Sequence, residues 1–338
     1  MGKSASIRDV AAAARVSVGT VSNVLNRAHV VSPETRKRVE EASRELGFVR
    51  SEAARQLRAG RSRSVGLLVL DVTNPFFTSL ARGVEDHLAG ASLSMILGDS
   101  NDDEDRQARY LTLLAEQRVR GVLVVPVGRP SPVLATLRQR DIPVVLLDTK
   151  APDMGTCSVS VNNVGGGRAA VAHLIAQGHR RIAFVGSQGR ERQVADRARG
   201  ARAAMKAAGL KPDDLRRVRV ETLSFDGGRA AARELLDVPA RRRPTAAFCA
   251  NDLLALGMLQ ELTQRGVGVP DDMALVGYDD IVFAEAAAVP LTSVRQPCPE
   301  LARTAAQLLL DELSDGGHEH QQVVLSAQLV ARRSSGAP

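Results

Sequence analysis

The chain has 338 residues, 44% hydrophobic and 25% charged, a balance that builds packed cores and excludes a disordered or low-complexity protein. That length implies two or three domains, no apolar run approaches a membrane span, and the start Met1-Gly-Lys-Ser has no apolar signal region, so a cytoplasmic location is expected. The charge is uneven: residues 1–62 hold 12 Lys and Arg against 6 Asp and Glu, whereas residues 63–338 hold 33 against 32.

The basic head is predicted to form three short helices. Ser6-Ile-Arg-Asp9 has the form of a capping box, with Ile7, Val10, Ala11 and Ala14 following at helical spacing. Ser17 is placed to cap a second helix ending near Asn26, with Val21, Val24 and Leu25 inward. Ser32-Pro33-Glu34 opens a third, whose inner face is Val39, Ala42, Ser43 and Leu46 and whose stop is Gly47. Two short helices joined by a tight turn make a helix-turn-helix. On the second of them Val18, Gly19, Thr20, Ser22, Asn23 and Asn26 have no core task. Small and polar groups of this kind suit phosphates and base edges. A protein-interaction module with a solvated polar face is the alternative, and the concentrated positive charge favours nucleic acid.

Ile7-Arg-Asp-Val-Ala-Ala12, Val16-Ser-Val-Gly-Thr-Val-Ser-Asn-Val-Leu-Asn26 and Val31-Ser-Pro-Glu-Thr-Arg36 resemble the headpiece of the lactose/galactose repressor (LacI/GalR) family, and the resemblance continues along essentially the whole chain. It implies that Val18, Gly19 and Asn23 read bases in the major groove. It also implies that Ser17, Thr20, Ser22, Asn26, Ser32 and Thr35 touch the DNA backbone, with Ile7 and Arg8 in the same contact set. Three positions depart from the family pattern. Asn23 stands where many members carry Arg, and Asn suits adenine where Arg suits guanine, so an operator without that guanine contact is expected. Arg15 replaces a common Gly in the turn, which strains the backbone if that residue is left-handed. Arg50-Ser51 replaces the usual Pro-Asn.

Residues 50–62 are helix-compatible but too short to hold a helix alone in water. Leu57 is an apolar residue among Arg55, Arg58 and Arg61. It either packs on the neighbouring domain or, as the resemblance implies, wedges between base pairs in the minor groove, with Arg55 beside it.

From residue 63 onward apolar runs alternate with amphipathic segments. Val65-Gly-Leu-Leu-Val-Leu70, Gly121-Val-Leu-Val-Val125 and Pro143-Val-Val-Leu-Leu147 read as buried parallel strands, as do Arg181-Ile-Ala-Phe-Val-Gly186, Ala246-Ala-Phe-Cys-Ala250 and Met273-Ala-Leu-Val-Gly277. Helices are expected between them, at 77–88, 168–176 and 253–263 among others. This alternation predicts two doubly wound parallel-sheet lobes, divided near residue 160, around one cleft. Asp71, Asn74, Asp148, Asn251, Asp252, Asp279 and Asp280 follow strand ends, where open α/β sheets bind ligands, and Arg197 is placed at the opening of a helix. Any one of these acids and amides can instead cap the helix that follows.

The body resembles the effector core of the same family, an α/β periplasmic-binding-protein-like fold. Asp71-Val-Thr-Asn-Pro-Phe-Phe77, His173-Leu-Ile-Ala-Gln-Gly-His179, Ala250-Asn-Asp252, Val276-Gly-Tyr-Asp-Asp280 and Pro290-Leu-Thr-Ser-Val-Arg-Gln296 carry the likeness. It implies that Asp71, Asn74, Phe76, Asp148, Arg197, Asn251, Asp279 and Gln296 face a small-molecule effector. Carboxylates, amides and one guanidinium around an aromatic face suit a sugar, with a purine or a sugar phosphate as the alternative. The chain has no Trp, so Phe76, helped by Leu223 or Phe225, must form the apolar wall. The resemblance also implies lobe crossings near 160, 292 and 325, dividing the core into 63–160 with 293–325 and 161–292 with 326–333. No heptads close the chain, so a homodimer on a pseudo-palindromic DNA operator is expected, with effector and DNA as its partners. The sign of the effector's action, induction or corepression, is left open.

Cys157, Cys249 and Cys298 are widely spaced and expected to be reduced thiols. His318 and His320 form an isolated HxH read as a loop, so no metal and no cofactor are expected. No GxSxG, HExxH, P-loop or GxGxxG motif is present, and Gly165-Gly-Gly167 is a bare glycine run before a helix, so an enzyme is not expected. A solute-binding protein would account for the body but not for the basic head.

Overall fold

The computed structural model describes residues 5–48, 62–128, 131–149, 155–187, 192–211, 214–314 and 318–336. Arg55 and Leu57, expected at the DNA, lie outside them. The chain divides into two compact units, residues 1–62 and 63–338.

In the first unit, α1 (Ile7–Ala13) starts on a capping box in which Ser6 accepts from the Asp9 amide and Asp9 accepts from the Ser6 amide. Helix α2 (Val18–Asn26) is capped by Ser17, and α3 (Pro33–Glu45) by Ser32 with Pro33 in its first turn. Arg15, in the turn between α1 and α2, takes φ +51°, the left-handed region that a side chain disfavours. Val10, Val21 and Val39 are fully buried and form the centre of a small aliphatic core. Leu46 departs from the expected inner face: it caps the end of α3 and is 40% exposed. Gly47 takes φ +59°, the Phe48 amide donates to the Ser43 carbonyl, and Phe48 packs on the core instead. That is a Schellman ending, whose apolar contact falls two residues beyond the cap. Leu25 is only half-buried.

The second unit holds two six-stranded sheets. The first is formed by β1 (Ser64–Val69), β2 (Ser94–Asp99), β3 (Gly121–Val124), β4 (Val144–Leu147), β5 (Ser158–Val161) and β11 (Gln322–Leu325), in the order β11-β5-β4-β3-β1-β2. The second is formed by β6 (Ile182–Ser187), β7 (Arg216–Val220), β8 (Ala246–Cys249), β9 (Ala274–Asp279), β10 (Thr292–Arg295) and β12 (Gln328–Val330), in the order β12-β10-β9-β8-β6-β7. The orders correspond strand for strand. Only the last pairing differs: β11 runs parallel to β5, and β12 antiparallel to β10. Strands buried on both faces, such as β3, β4 and β8, read as unbroken apolar runs because helices cover both sides.

Helices α4 (Pro75–Gly90), α5 (Glu104–Glu116) and α6 (Pro132–Gln139) belong to the first lobe. The second lobe carries α7 (Asn163–Ala176), α8 (Arg192–Ala207), α9 (Phe225–Leu236), α10 (Asp252–Gln264) and α11 (Val282–Ala286). Helix α12 (Cys298–Ser314) returns to the first lobe, where Leu301 and Ala305 join the core beneath β1 and β3. The lobe crossing therefore falls after β10, beyond Arg295, and not near 292. Strand β10 stays in the second sheet because its register is held by β9 and β12.

The glycine run 165–167 lies inside α7, not before it. A Cβ on Gly167 would sit 2.1 Å from the Arg197 carbonyl oxygen, and one on Gly200 would sit 2.0 Å from that of Val164. Helices α7 and α8 thus meet backbone to backbone, which the absent side chains allow. Arg332 and Ser334 are also part of the fold. The Ser334 hydroxyl donates to the Leu275 carbonyl (2.7 Å) and accepts from the Thr292 amide (2.8 Å), and Arg332 reaches Asp280 at 2.6 Å.

Candidate functional site

Two regions carry polar side chains with no task in a core. On the head, Val18 is 41% exposed, and Arg8, Gly19, Asn23 and Asn26 are exposed. Ser17 and Ser32 are exposed, with Thr20, Ser22 and Thr35 half-buried beside them. Ile7 is half-buried and packs on the head's core. The hydrogen bonds here are local. Ser17 Oγ accepts from the Thr20 amide at 3.0 Å, Asn26 Nδ2 donates to the Ser22 carbonyl at 2.7 Å, and Ser32 Oγ donates to Thr35 Oγ1 at 3.0 Å. A Cβ on Gly19 would meet only Ser17 Oγ, at 3.5 Å, so the fold does not itself demand glycine there.

In the body, the C-terminal ends of both sheets face one cavity of about 270 Å³. All eight body residues singled out from the sequence line it: Asp71, Asn74, Phe76 and Asp148 from the first lobe, Arg197, Asn251 and Asp279 from the second, and Gln296 from the crossing after β10. Arg197, in the second turn of α8 and not at its opening, is 4% exposed. Its guanidinium lies 3.6 Å from the centre of the Tyr278 ring. Its Nε donates to Asn163 Oδ1 at 2.9 Å and its Nη1 to the Ala250 carbonyl at 2.5 Å, leaving Nη2 3.8 Å from Asp279 Oδ1. Those scaffold bonds fix the fork, so the cation is oriented before anything enters.

Asp279 is the hub. It accepts from Gln296 Nε2 at 2.8 Å and, across the two lobes, from Asn74 Nδ2 at 3.2 Å. Asp148 accepts from Asn163 Nδ2 at 3.2 Å. Both carboxylates are buried, and burial outweighs the pull of Arg197: Asp148 is pushed up to about 6, and Asp279 also rises. Asp148, Asp279 and Asp280 take φ of 52°, 105° and 55°, turning their side chains at the strand ends on backbone that most residues avoid. Gln296 Oε1 is buried with no hydrogen-bond partner among the described residues, an acceptor without a donor.

Capping and lining coincide at two positions. Asn74 accepts from the Phe76 amide at 3.0 Å and Asn251 from the Leu254 amide at 3.0 Å, yet each also faces the cavity. Asp252 and Asp280 do not line it. Asp252 holds the Ile281 amide and the Ser293 hydroxyl, and Asp280 holds Arg295 and Arg332. The apolar wall is Leu70, Phe76, Phe77 and Leu223, while Phe225 lies outside the lining, 37% exposed. Asn101, Asp102, Gln193, Glu221 and Thr222 also line the cavity; the first two follow β2 and the last two follow β7, strand ends that the apolar runs in the chain do not announce, and Gln193 is in the first turn of α8. Asn163 and Tyr278 orient Arg197, and only the three-dimensional fold brings them to it.

The pattern of bacterial regulatory proteins of the lacI family matches residues 6–51, and that of periplasmic binding protein-like domains matches residues 171–335. The chain is 36% identical to the ribose operon repressor of Escherichia coli K12, over 98% of this chain and 100% of that one. It is 34% identical to the HTH-type transcriptional repressor PurR of Aliivibrio fischeri MJ11, over 98% of each. The crystal structure of the lac repressor dimer bound to operator and the anti-inducer ONPF matches with a TM-score of 0.83 at 25% identity, over 99% of this chain and 100% of that one.

Proposed function

This chain belongs to the bacterial lacI family of DNA-binding transcriptional regulators, not to a family of enzymes, and on that premise we propose that it is a dimeric repressor whose effector is a neutral monosaccharide. The observation that carries the ligand class is the composition of the cleft. Asp71, Asp102, Asp148, Glu221 and Asp279 face one cation, Arg197, with Phe76 and Phe77 as an apolar wall. An excess of acceptors matches a ligand rich in hydroxyl donors and repels the phosphate of a sugar phosphate. A cavity of about 270 Å³ lies just below the usual range of ligand sites, roughly 300–1,000 Å³, which fits one sugar ring better than two. The ribose repressor among its relatives makes pentoses the first candidates, and PurR keeps purines as the competing class.

The proposed mechanism uses bonds already in place. A ligand hydroxyl donating to Asp279 competes with the amide of Asn74, one of the bonds that join the two lobes. Gln296 Oε1 receives a second hydroxyl. Binding thereby changes the angle between the lobes, and DNA affinity shifts by the ligand's differential affinity for the two states. In the head, Val18, Gly19 and Asn23 face base edges, while Ser17, Thr20, Ser22, Asn26, Ser32 and Thr35, with Ile7 and Arg8, hold the backbone. Arg55 and Leu57 extend the same contact.

A thermal-shift screen of the protein against pentoses, hexoses, disaccharides, sugar phosphates and purines tests the ligand class. A monosaccharide at about 100 times its dissociation constant should stabilise the body by roughly 2.7 kcal/mol. A shift confined to purines or phosphates overturns the sugar reading and leaves the regulator standing.

A further inference from the structure

Away from the cleft, the first lobe gathers four side chains that neither DNA nor effector needs. Cys157 stands immediately before β5, Glu312 is in the last turn of α12, and His318 and His320 lie on the segment that enters β11. Strands β5 and β11 are parallel neighbours at the sheet's edge, so their entrances lie side by side at the end opposite the strand ends that line the cavity. There Cys157 Sγ is 3.1 Å from His318 Nε2 and 3.9 Å from His320 Nδ1, and His320 Nδ1 is 3.4 Å from Glu312 Oε1. The four potential ligand atoms all lie within 4.8 Å of one another.

We propose that Cys157, Glu312, His318 and His320 form a structural zinc site. The spacing fits a tetrahedral ion. With metal–sulfur bonds of about 2.3 Å and metal–nitrogen bonds of about 2.1 Å, ligand atoms stand roughly 3.4–3.6 Å apart; three of the six separations in this cluster, 3.1, 3.4 and 3.9 Å, straddle that range, and all six are within 4.8 Å. The donor set decides the metal class. One thiolate and two imidazoles exclude calcium and magnesium, which take oxygen, and suit zinc among the available divalent ions. All four positions are filled by protein, so the site is closed and structural, with no open position for a reaction.

A thiol–imidazole hydrogen bond accounts for Cys157 and His318 alone, since one S–H serves one acceptor. It leaves Glu312 Oε1 buried without a hydrogen bond among the described residues, with the His320 ring 3.4 Å away, and His320 turned toward the same sulfur. The Gln321 amide also donates to Cys157 Sγ at 3.3 Å, the outer bond that orients a metal-bound sulfur. Burial and the neighbouring Glu312 hold the metal-free thiol protonated, pushed up to about 12, so loading must expel a proton. Bound metal would then fasten the end of α12 and the start of β11, 161 residues distant in the chain, to β5.

The test is a titration of chelator-stripped full-length protein with Co²⁺, followed by displacement with Zn²⁺. The expected result is one equivalent bound, visible bands of tetrahedral intensity, a near-ultraviolet thiolate-to-cobalt band, and a rise in melting temperature with Zn²⁺. Cys157→Ser should abolish the thiolate band. His320→Ala, at a ring 44% exposed and so with little bearing on folding, should weaken binding by roughly 100-fold while leaving the circular dichroism unchanged. No thiolate band at one equivalent, or a band that survives Cys157→Ser, overturns the site. Should Cys157→Ser fail to fold, unchanged affinity in His320→Ala does so instead.

Discussion

The head and the cleft both present polar groups to a partner, and they hold them in opposite ways. On the head, the bonds seen among the described residues at the side chains proposed to face DNA span three or four residues, as Ser17 to Thr20 and Ser22 to Asn26 do. In the cleft, Asn74 meets Asp279 across 205 residues, and Arg197 meets Ala250 across 53. The head's groups are solvated and held by capping, so their arrangement survives whatever happens elsewhere in the chain. In the cleft Asn74, Asp148, Arg197, Asp279 and Gln296 are buried and bonded across long stretches of chain, so each is costly to disturb, and the Asn74–Asp279 bond reports on the position of the lobes. A surface that must fit a stiff duplex needs only local order. A sensor that must move its lobes needs long-range bonds that a ligand can exchange.

The sharpest break in this comparison is Arg197→Ala. It leaves Asp279 and Asp148 buried without their cation, which should cost about 3 kcal/mol of body stability, and it should abolish the effector response while operator binding in a gel-shift assay is retained. An unchanged effector response would remove Arg197 from the site. A second test uses pH. Because Asp148 is raised in the folded state from an ordinary 3.8 to about 6, its contribution favours folding below about pH 4 and is lost as pH rises through 6, an effect on the order of 3 kcal/mol. The ligand needs the charged form as acceptor, so affinity measured by calorimetry should fall as pH drops from about 7 to 5. Asp148→Asn should flatten the stability profile, and a profile as steep as before would assign the titration elsewhere. The smallest expected effect lies on the head. Asn23→Arg should shift selected operator sites toward guanine at one position per half-site, by about 1–3 kcal/mol of discrimination, with body melting unchanged. An unaltered preference would mean that Asn23 does not face a base.

The same division explains what could be read from the chain. The helix starts at Ser6, Ser17 and Ser32 are legible because a cap is a local chemical pattern, and the strands because their apolar runs are local too. Leu46 misleads for a local reason: helical spacing points it inward, but the Schellman turn at Gly47 hands that place to Phe48. The cleft's strand-end acids are legible as positions, since ligands gather where parallel strands end. Their division of labour is not. Nothing in the sequence marks Asn163 and Tyr278 as the groups that aim Arg197, or separates Asp279, which lines the cavity, from Asp280, which ties down Arg332. The glycine run is legible as unusual, but the reason for Gly167 is the Arg197 carbonyl on another helix, and for Gly166 the Tyr278 ring. His318 and His320 look like an isolated pair in the chain because their neighbour Cys157 comes more than 160 residues earlier.

The strands β11 and β12 and the Ser334 tie close both sheets with the final stretch of the chain. A ribosome making this protein therefore finishes the head first, with its small core and capped second helix, and completes the two sheets only when residues 322–334 emerge. A nascent chain acquires the means to grip DNA long before it acquires the means to answer a signal. Removing residues 328–336 would not trim a tail; it would take the edge strand β12 and the Ser334 tie from the second sheet, while the head keeps its own core.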